Sequence, residues 1–89
     1  MTTPATPLSS ATAITGGAGA VACPASPQGS RQWLRLYNDT PDLIYYGASG
    51  VTATTGIPIQ PGNYDDIWIS GSIYVFALQT GNIRTLEMA

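Results

Sequence analysis

Asp65 and Asp66 are neighbouring carboxylates, and paired carboxylates are raw material for acid/base catalysis. On an extended chain adjacent side chains point to opposite faces, so these two cannot flank one substrate. Their expected role is the solvated start of a strand, with a cation site as the alternative. Cys23 is the single cysteine of the chain, and the sequence holds no histidine to take its proton. A small buried hydrophobe is therefore favoured over a nucleophile, and no intrachain disulfide can form. Gly47, Gly50 and Gly56 precede no helix that would complete a phosphate cradle, so they are read as turn residues. Asn38-Asp39-Thr40 matches a glycosylation acceptor, discounted because nothing in the sequence indicates secretion. The expectation is a protein that is not an enzyme and uses no cofactor or metal.

The aromatic residues offer chemistry of another kind. Trp33, Tyr37, Tyr45, Tyr46, Tyr64, Trp68, Tyr74 and Phe76 can build a core, a protein interface or a sugar-stacking platform. Trp33 and Tyr37 flank Arg35 on the polar-looking face of one run, and Trp, Tyr and Arg together are the composition of an interface hot spot. Contact with a partner or another subunit is the preferred reading, ahead of core and glycan binding.

These side chains need strands to position them. The run Asp65 to Leu78 is the densest apolar stretch and reads as two strands, Tyr64 to Ile69 and Ser72 to Leu78, closed into a hairpin by Ser70-Gly71. Ile67 and Ile69 share one face of the first strand, and Tyr64, Asp66 and Trp68 the other. On the second, Ile73, Val75 and Ala77 oppose Tyr74, Phe76 and Leu78, so both faces are apolar and demand cover. Gln32 to Tyr37 alternates cleanly, with Leu34 and Leu36 on one side. Asn38 to Asp42 is a turn, and Leu43 to Gly47 the strand that pairs back through it as a second hairpin. Ile57 to Gly62 is a short extended piece placed at a sheet edge, because its prolines deny ladder donors. Ile83 to Met88 is a closing strand, and no helical period of useful length occurs. The fold class is all-β, a small antiparallel β-sandwich or jelly-roll-like barrel with an extended N-terminal arm.

The arm comes from a change of composition. Residues 1–30 contain no charged or aromatic side chain, whereas residues 31–89 hold all of them. A leader of Thr, Ala, Ser, Gly and Pro cannot build its own core against roughly 1–2 kcal/mol per residue of ordering. It is read either as a flexible leader or as an arm that orders against a partner or the domain itself. Ala11 to Ile14 and Ala20 to Cys23 are its candidate edge strands, with Ile14, Val21 and Cys23 as contact residues beside Trp33, Arg35 and Tyr37 of the body.

Length and charge bound the rest. At 89 residues the chain is one domain at most, and a size at which oligomerisation or docking relieves marginal stability. A formal net charge of −2 lacks the basic excess that nucleic acid requires. No apolar run approaches the roughly 20 residues that span a bilayer, and the N-terminus lacks a secretory pattern. A protein made in the cytosol and bound to neither nucleic acid nor membrane is expected.

The sequence order itself resembles a known group. Arg31, then Trp33-Leu-Arg-Leu-Tyr-Asn-Asp39, Ile44-Tyr-Tyr-Gly-Ala-Ser-Gly-Val-Thr52, Thr55-Gly-Ile-Pro-Ile-Gln-Pro-Gly62, Gly71-Ser-Ile-Tyr74 and Ile83-Arg-Thr-Leu-Glu87 are similar to small β-sandwich modules of tailed-bacteriophage virion proteins. These include capsid decoration or cement proteins and head- or tail-fibre accessories. The likeness spans roughly Ala20 to Met88 and implies a particle component located at the capsid surface and made in the host cytoplasm. The implied partner is the major coat protein or another virion protein. The implied state is a homo-oligomer, with a trimer as one form. In this reading the arm lies between coat subunits, so deleting Met1 to Ala20 is expected to abolish particle binding and leave the body folded. The alternative is a fibre-associated module that binds host glycans.

Overall fold

The computed structural model describes residues 7–29 and 31–88. Eight strands run in the order β1 (Pro7–Ile14), β2 (Val21–Ala22), β3 (Trp33–Asp39), β4 (Ile44–Gly47), β5 (Ile57–Ile59), β6 (Tyr64–Ile67), β7 (Tyr74–Ala77) and β8 (Gly81–Met88). They form two four-stranded sheets, β1-β8-β3-β6 (sheet A) and β2-β7-β4-β5 (sheet B), with every pairing antiparallel. No helix occurs among the described residues. The all-β sandwich expected from the alternation is what forms.

Period-two patterning sets the core. Leu34 and Leu36 of β3, Ile83 of β8 and Ile14 of β1 meet Ile44, Ile59, Val75 and Ala77 of sheet B, with Cys23 and Ile73 closing the cluster. Ile67 and Ile69 pack against it from the side assigned to them by sequence. The opposite face of β7 is less covered than its apolar character suggests. Tyr74 and Phe76 are half-buried and Leu78 is exposed, because no third layer lies on that side among the described residues.

Both expected hairpins are absent, for a shared reason. β3 lies in sheet A and β4 in sheet B, and likewise β6 in sheet A and β7 in sheet B. Each connection crosses the sandwich. At the first crossing the buried Asn38 Nδ2 donates to the carbonyls of Asp42 (2.7 Å) and Ile59 (2.9 Å), while its Oδ1 accepts the Thr40 N–H (3.0 Å). This network turns the chain into a corner, and it leaves Asn38 fully enclosed rather than open to a glycosyl group. At the second crossing Arg31 donates from Nε to the Ile69 carbonyl (3.1 Å) and from Nη2 to the Gly71 carbonyl. Those carbonyls are drawn toward the core, so Ser70-Gly71 is a bridge between sheets rather than a hairpin tip. Only β4 and β5 are consecutive neighbours in one sheet. Pro58 sits in β5 at the sheet edge, where its missing N–H does no harm.

The composition boundary at residue 30 is not a structural boundary. The leader supplies β1, the edge of sheet A paired with β8 over Pro7–Ile14, and β2, the edge of sheet B paired with β7. Further ties hold it to the body. The Gly17 N–H reaches the Ala77 carbonyl (2.9 Å) and the Cys23 N–H the Ile73 carbonyl (2.9 Å). Gly16 passes so close to Gln79 that an added Cβ would sit 2.6 Å from its Cα. Of the two readings left open for the leader, ordering against the domain itself holds for residues 7–29. Met1 to Thr6 lie outside the described residues, as do Ser30 and Ala89.

Candidate functional site

The outer face of sheet A carries the exposed chemistry. Because side chains alternate, β3 presents Trp33, Arg35, Tyr37 and Asp39 outward, while Leu34, Leu36 and Asn38 go in. β6 adds Tyr64 opposite Tyr37 and Asp66 opposite Arg35. β8 adds Arg84, Leu86 and Met88, and β1 the small side chains Pro7, Ser9, Ala11 and Ala13. Trp68, just past β6, continues the outward set and is 80% exposed; Tyr64 is 49% exposed.

Charge on this face is paired and held flat. Arg35 forms a two-point fork with Asp66, Nε to Oδ1 at 2.7 Å and Nη2 to Oδ2 at 3.0 Å. The same guanidinium lies 4.0 Å from the Tyr64 ring centre and 5.4 Å from that of Trp33, positions where the cation meets the ring quadrupole. Arg84 repeats the pattern, 5.7 Å from the Tyr37 ring centre and 3.0 Å from Asp39 Oδ2. The Arg35 hydrogen bond holds the Asp66 carboxyl below the usual carboxylate range. Two cations and two anions cancel, so the face presents planar, hydrogen-bonded, aromatic surface rather than net charge.

Unequal side chains carve this face. Ser9 and Ala11 are small where Arg35 and Tyr37 are large, so a groove of about 420 Å³ runs over β8, floored by Leu86 and Arg84. Its lining is ready-made, since Arg35 and Arg84 are already pinned by their carboxylates.

The six residues singled out in the sequence divide. Trp33, Arg35 and Tyr37 are together on this face, half-buried, as the alternation requires. Ile14 and Cys23 are core side chains of the same subunit, 3% and 0% exposed, and have no surface left to offer a partner. Their assignment as contact residues is corrected on that ground: the leader spends its largest apolar groups closing its own sandwich. Val21 is exposed but belongs to the two-residue edge strand of sheet B, away from the aromatic face. Burial pushes the Cys23 thiol up to about 11, offset in part by a hydrogen bond with Thr12, so the group is inert as a nucleophile at neutral pH.

Asp65 and Asp66 do face opposite sides, yet neither is merely solvated. Asp65 turns inward and accepts the Tyr46 hydroxyl at 3.0 Å, and burial, with this bond added, raises that phenol to about 12. Among the described residues no group of three or more Cys, His, Asp or Glu side chains is placed to hold a metal ion. Sequence reasoning missed Tyr64, Asp66 and Arg84 as members of the site. The signal available was the shared parity of Tyr64, Asp66 and Trp68; the cross-strand register that sets Asp66 against Arg35 has no local trace. Against this geometry, no protein-family model, curated protein or solved structure is detectably similar to the chain.

Proposed function

We propose that the protein is a non-catalytic structural component of a bacteriophage particle, a decoration or cement protein that docks on the coat through the outer face of sheet A. The observation that carries the docking surface is the set of exposed aromatics, Trp68 and Tyr64 above all, interleaved with the Arg35–Asp66 fork. Aromatic and arginine anchors dominate interface energetics, and here Arg35, forked to Asp66 and stacked against Tyr64, is held in place before binding, which lowers the entropic cost of docking. The phage assignment comes from the sequence resemblance. The attachment device differs from the one expected of a free arm, since Pro7–Ile14 and Val21–Ala22 are edge strands of the protein's own two sheets.

The test is co-sedimentation of the purified protein with particles of its phage. Wild-type protein is expected to pellet with the shells, and Trp68→Ala with Tyr64→Ala is expected to remain in the supernatant while keeping its urea midpoint. A double variant that pellets as well as wild type removes the face from the reading. A second reading is favoured by the high exposure of Trp68 beside a hydrogen-bonding Arg–Asp pair, an arrangement that also suits sugar stacking. A glycan array separates the two: saturable sugar binding lost in Trp68→Ala, with no pelleting on shells, replaces the coat by host glycans.

A further inference from the structure

A sandwich of two four-stranded sheets has four edges, and here three of them are blunted against pairing. β5 is three residues long and contains Pro58. β6 carries Asp65 and Asp66. β2 has two residues and runs into Cys23-Pro24. β1 has none of these protections. It is eight residues long, bears no charged side chain, has no proline after Pro7, and pairs with β8 alone among the described residues. Six of its eight residues are exposed. A long, uncharged edge is a template for another strand.

The geometry points to a second copy of this chain as that strand, joined β1 to β1 in antiparallel fashion across a two-fold axis. Three observations choose this occupant and its register. Pro7 has no N–H to donate, so the pairing segment is Leu8–Ile14, whose midpoint is Ala11. A two-fold axis normal to the sheet and centred there keeps inward faces with inward faces, setting Ala11 against Ala11 of the second copy and Leu8 against its Ile14. Leu8 is the exposed apolar side chain that a second strand laid along this edge would shield, Ile14 itself being spent on its own core. The register puts it on the inward face opposite the buried Glu87, yet it is 45% exposed, because sheet B does not reach over that end of β1. The outward residues Ser9, Ala11 and Ala13 are small and neutral, so nothing on the strand repels its own copy. Pairing with the β6 edge instead would build an open chain of subunits, and Asp65 and Asp66 guard that edge. The seam joins two four-stranded sheets into one of eight, and the grooves beside each β1 become neighbours on a common surface. The inference is independent of what the aromatic face binds.

A seam of this length is smaller than the roughly 1,200–2,000 Å² of stable interfaces, so the dimer forms in a concentration-dependent way. Sedimentation velocity over a wide concentration series reads it directly. Wild-type protein is expected to shift from monomer to dimer, and Ala11→Glu to weaken association by about tenfold or more. In that variant the introduced carboxylate faces Arg84 within its own subunit, so β1 stays in place, while two like charges meet at the axis. An unchanged urea midpoint checks the fold. Ala11→Cys supplies a positive readout. Diamide takes two electrons and two protons from the facing thiols, giving a disulfide-linked dimer, whereas wild type, with Cys23 buried, and Ser9→Cys, four residues out of register with its copy, do not cross-link. A wild-type protein that stays monomeric, an oligomer indifferent to Ala11→Glu, or equal cross-linking of the two cysteine variants overturns the proposal.

Discussion

Arg31–Glu87 and Arg35–Asp66 are the same chemical pair at nearly the same separation, 2.8 and 2.7 Å, and they do opposite jobs. The first has side-chain exposures of 0% and 1%, the second 37% and 36%. In the interior, attraction is strong but each ion has lost its water, so the pair is sustained only by added hydrogen bonds. Arg31 finds them at the Ile69 and Gly71 carbonyls, and Glu87 Oε2 also accepts the Gln28 N–H at 2.9 Å. The result is a clamp joining the leader, the β6-to-β7 crossing and the last strand. On the surface, water screens the Arg35 fork, whose worth lies in holding a planar group ready between Trp33 and Tyr64. Charge separation alone distinguishes neither role; the surroundings do.

Removing one partner of each pair separates them most sharply. Arg31→Leu leaves Glu87 as a buried, uncompensated charge and is expected to cost about 3–5 kcal/mol, a large part of the total for a domain of this size. Urea denaturation measures it. Replacing both partners with leucine is expected to recover much of the loss, because the desolvation cost disappears with the charges. An Arg31→Leu variant as stable as Arg35→Ala abolishes the distinction. Next in size, Ile14→Ala removes a leader side chain from the shared core and is expected to cost about 2–4 kcal/mol, while Ser9→Ala on the outer face of the same strand leaves the midpoint unmoved. A leader that tolerates Ile14→Ala is not part of the core.

These expectations reverse one drawn from sequence. Removing residues 1–20 looked harmless to the body, yet it strips β1 from β8 and uncovers the inward row Ile83, Thr85 and Glu87. The strands themselves were legible, since alternation at Leu34 and Leu36, Ile67, and Val75 and Ala77 names the buried face wherever it occurs. The connections were not. A Ser-Gly step reads as a hairpin tip, and the side chain that fastens it as a crossing, Arg31, lies 40 residues away from Gly71. Arginine reads as a surface residue, and its carboxylate lies 56 positions on. The turn at Asn38 was legible as one in which an Asx side chain bonds backbone amides, as the Thr40 N–H to Asn38 Oδ1 bond shows, whereas its burial and its reach to the Ile59 carbonyl had no local trace. On the aromatic face, Trp33, Arg35 and Tyr37 were legible because one strand carries all three, whereas Tyr64, Asp66 and Arg84 enter from other strands.

The contrast between interior and surface extends to titration. Burial holds the Cys23 thiol up at about 11 against an ordinary 9.0, and burial with the Asp65 bond holds Tyr46 at about 12 against 10.0. Both folded values are raised, so the stability these groups lend is complete below the ordinary values and is lost as pH climbs through 9.0 to about 12. Urea midpoints measured along this range should fall, and Tyr46→Phe should remove the upper part of the fall. A flat alkaline limb would place Cys23 in contact with solvent.

Asp66 tests the same logic at its weakest point. Its folded carboxyl lies below the ordinary range because Arg35 bonds it, so its contribution is present above the unfolded value and disappears as pH drops through the folded one. With the pair more than a third exposed, screening by water leaves that contribution small. Asp66→Asn should therefore move the urea midpoint slightly at neutral pH and not at all once wild-type Asp66 is itself protonated. Salt should shrink the neutral-pH difference further, since a surface pair is screened over roughly 10 Å at moderate ionic strength and a buried one is not. Binding to particles, the partner proposed for this face, should by contrast fall in Asp66→Asn at every salt concentration, because what is lost there is the fixed orientation of Arg35 between Trp33 and Tyr64. A variant that loses stability and binding in step would make the fork structural after all, a second clamp rather than a prepared surface.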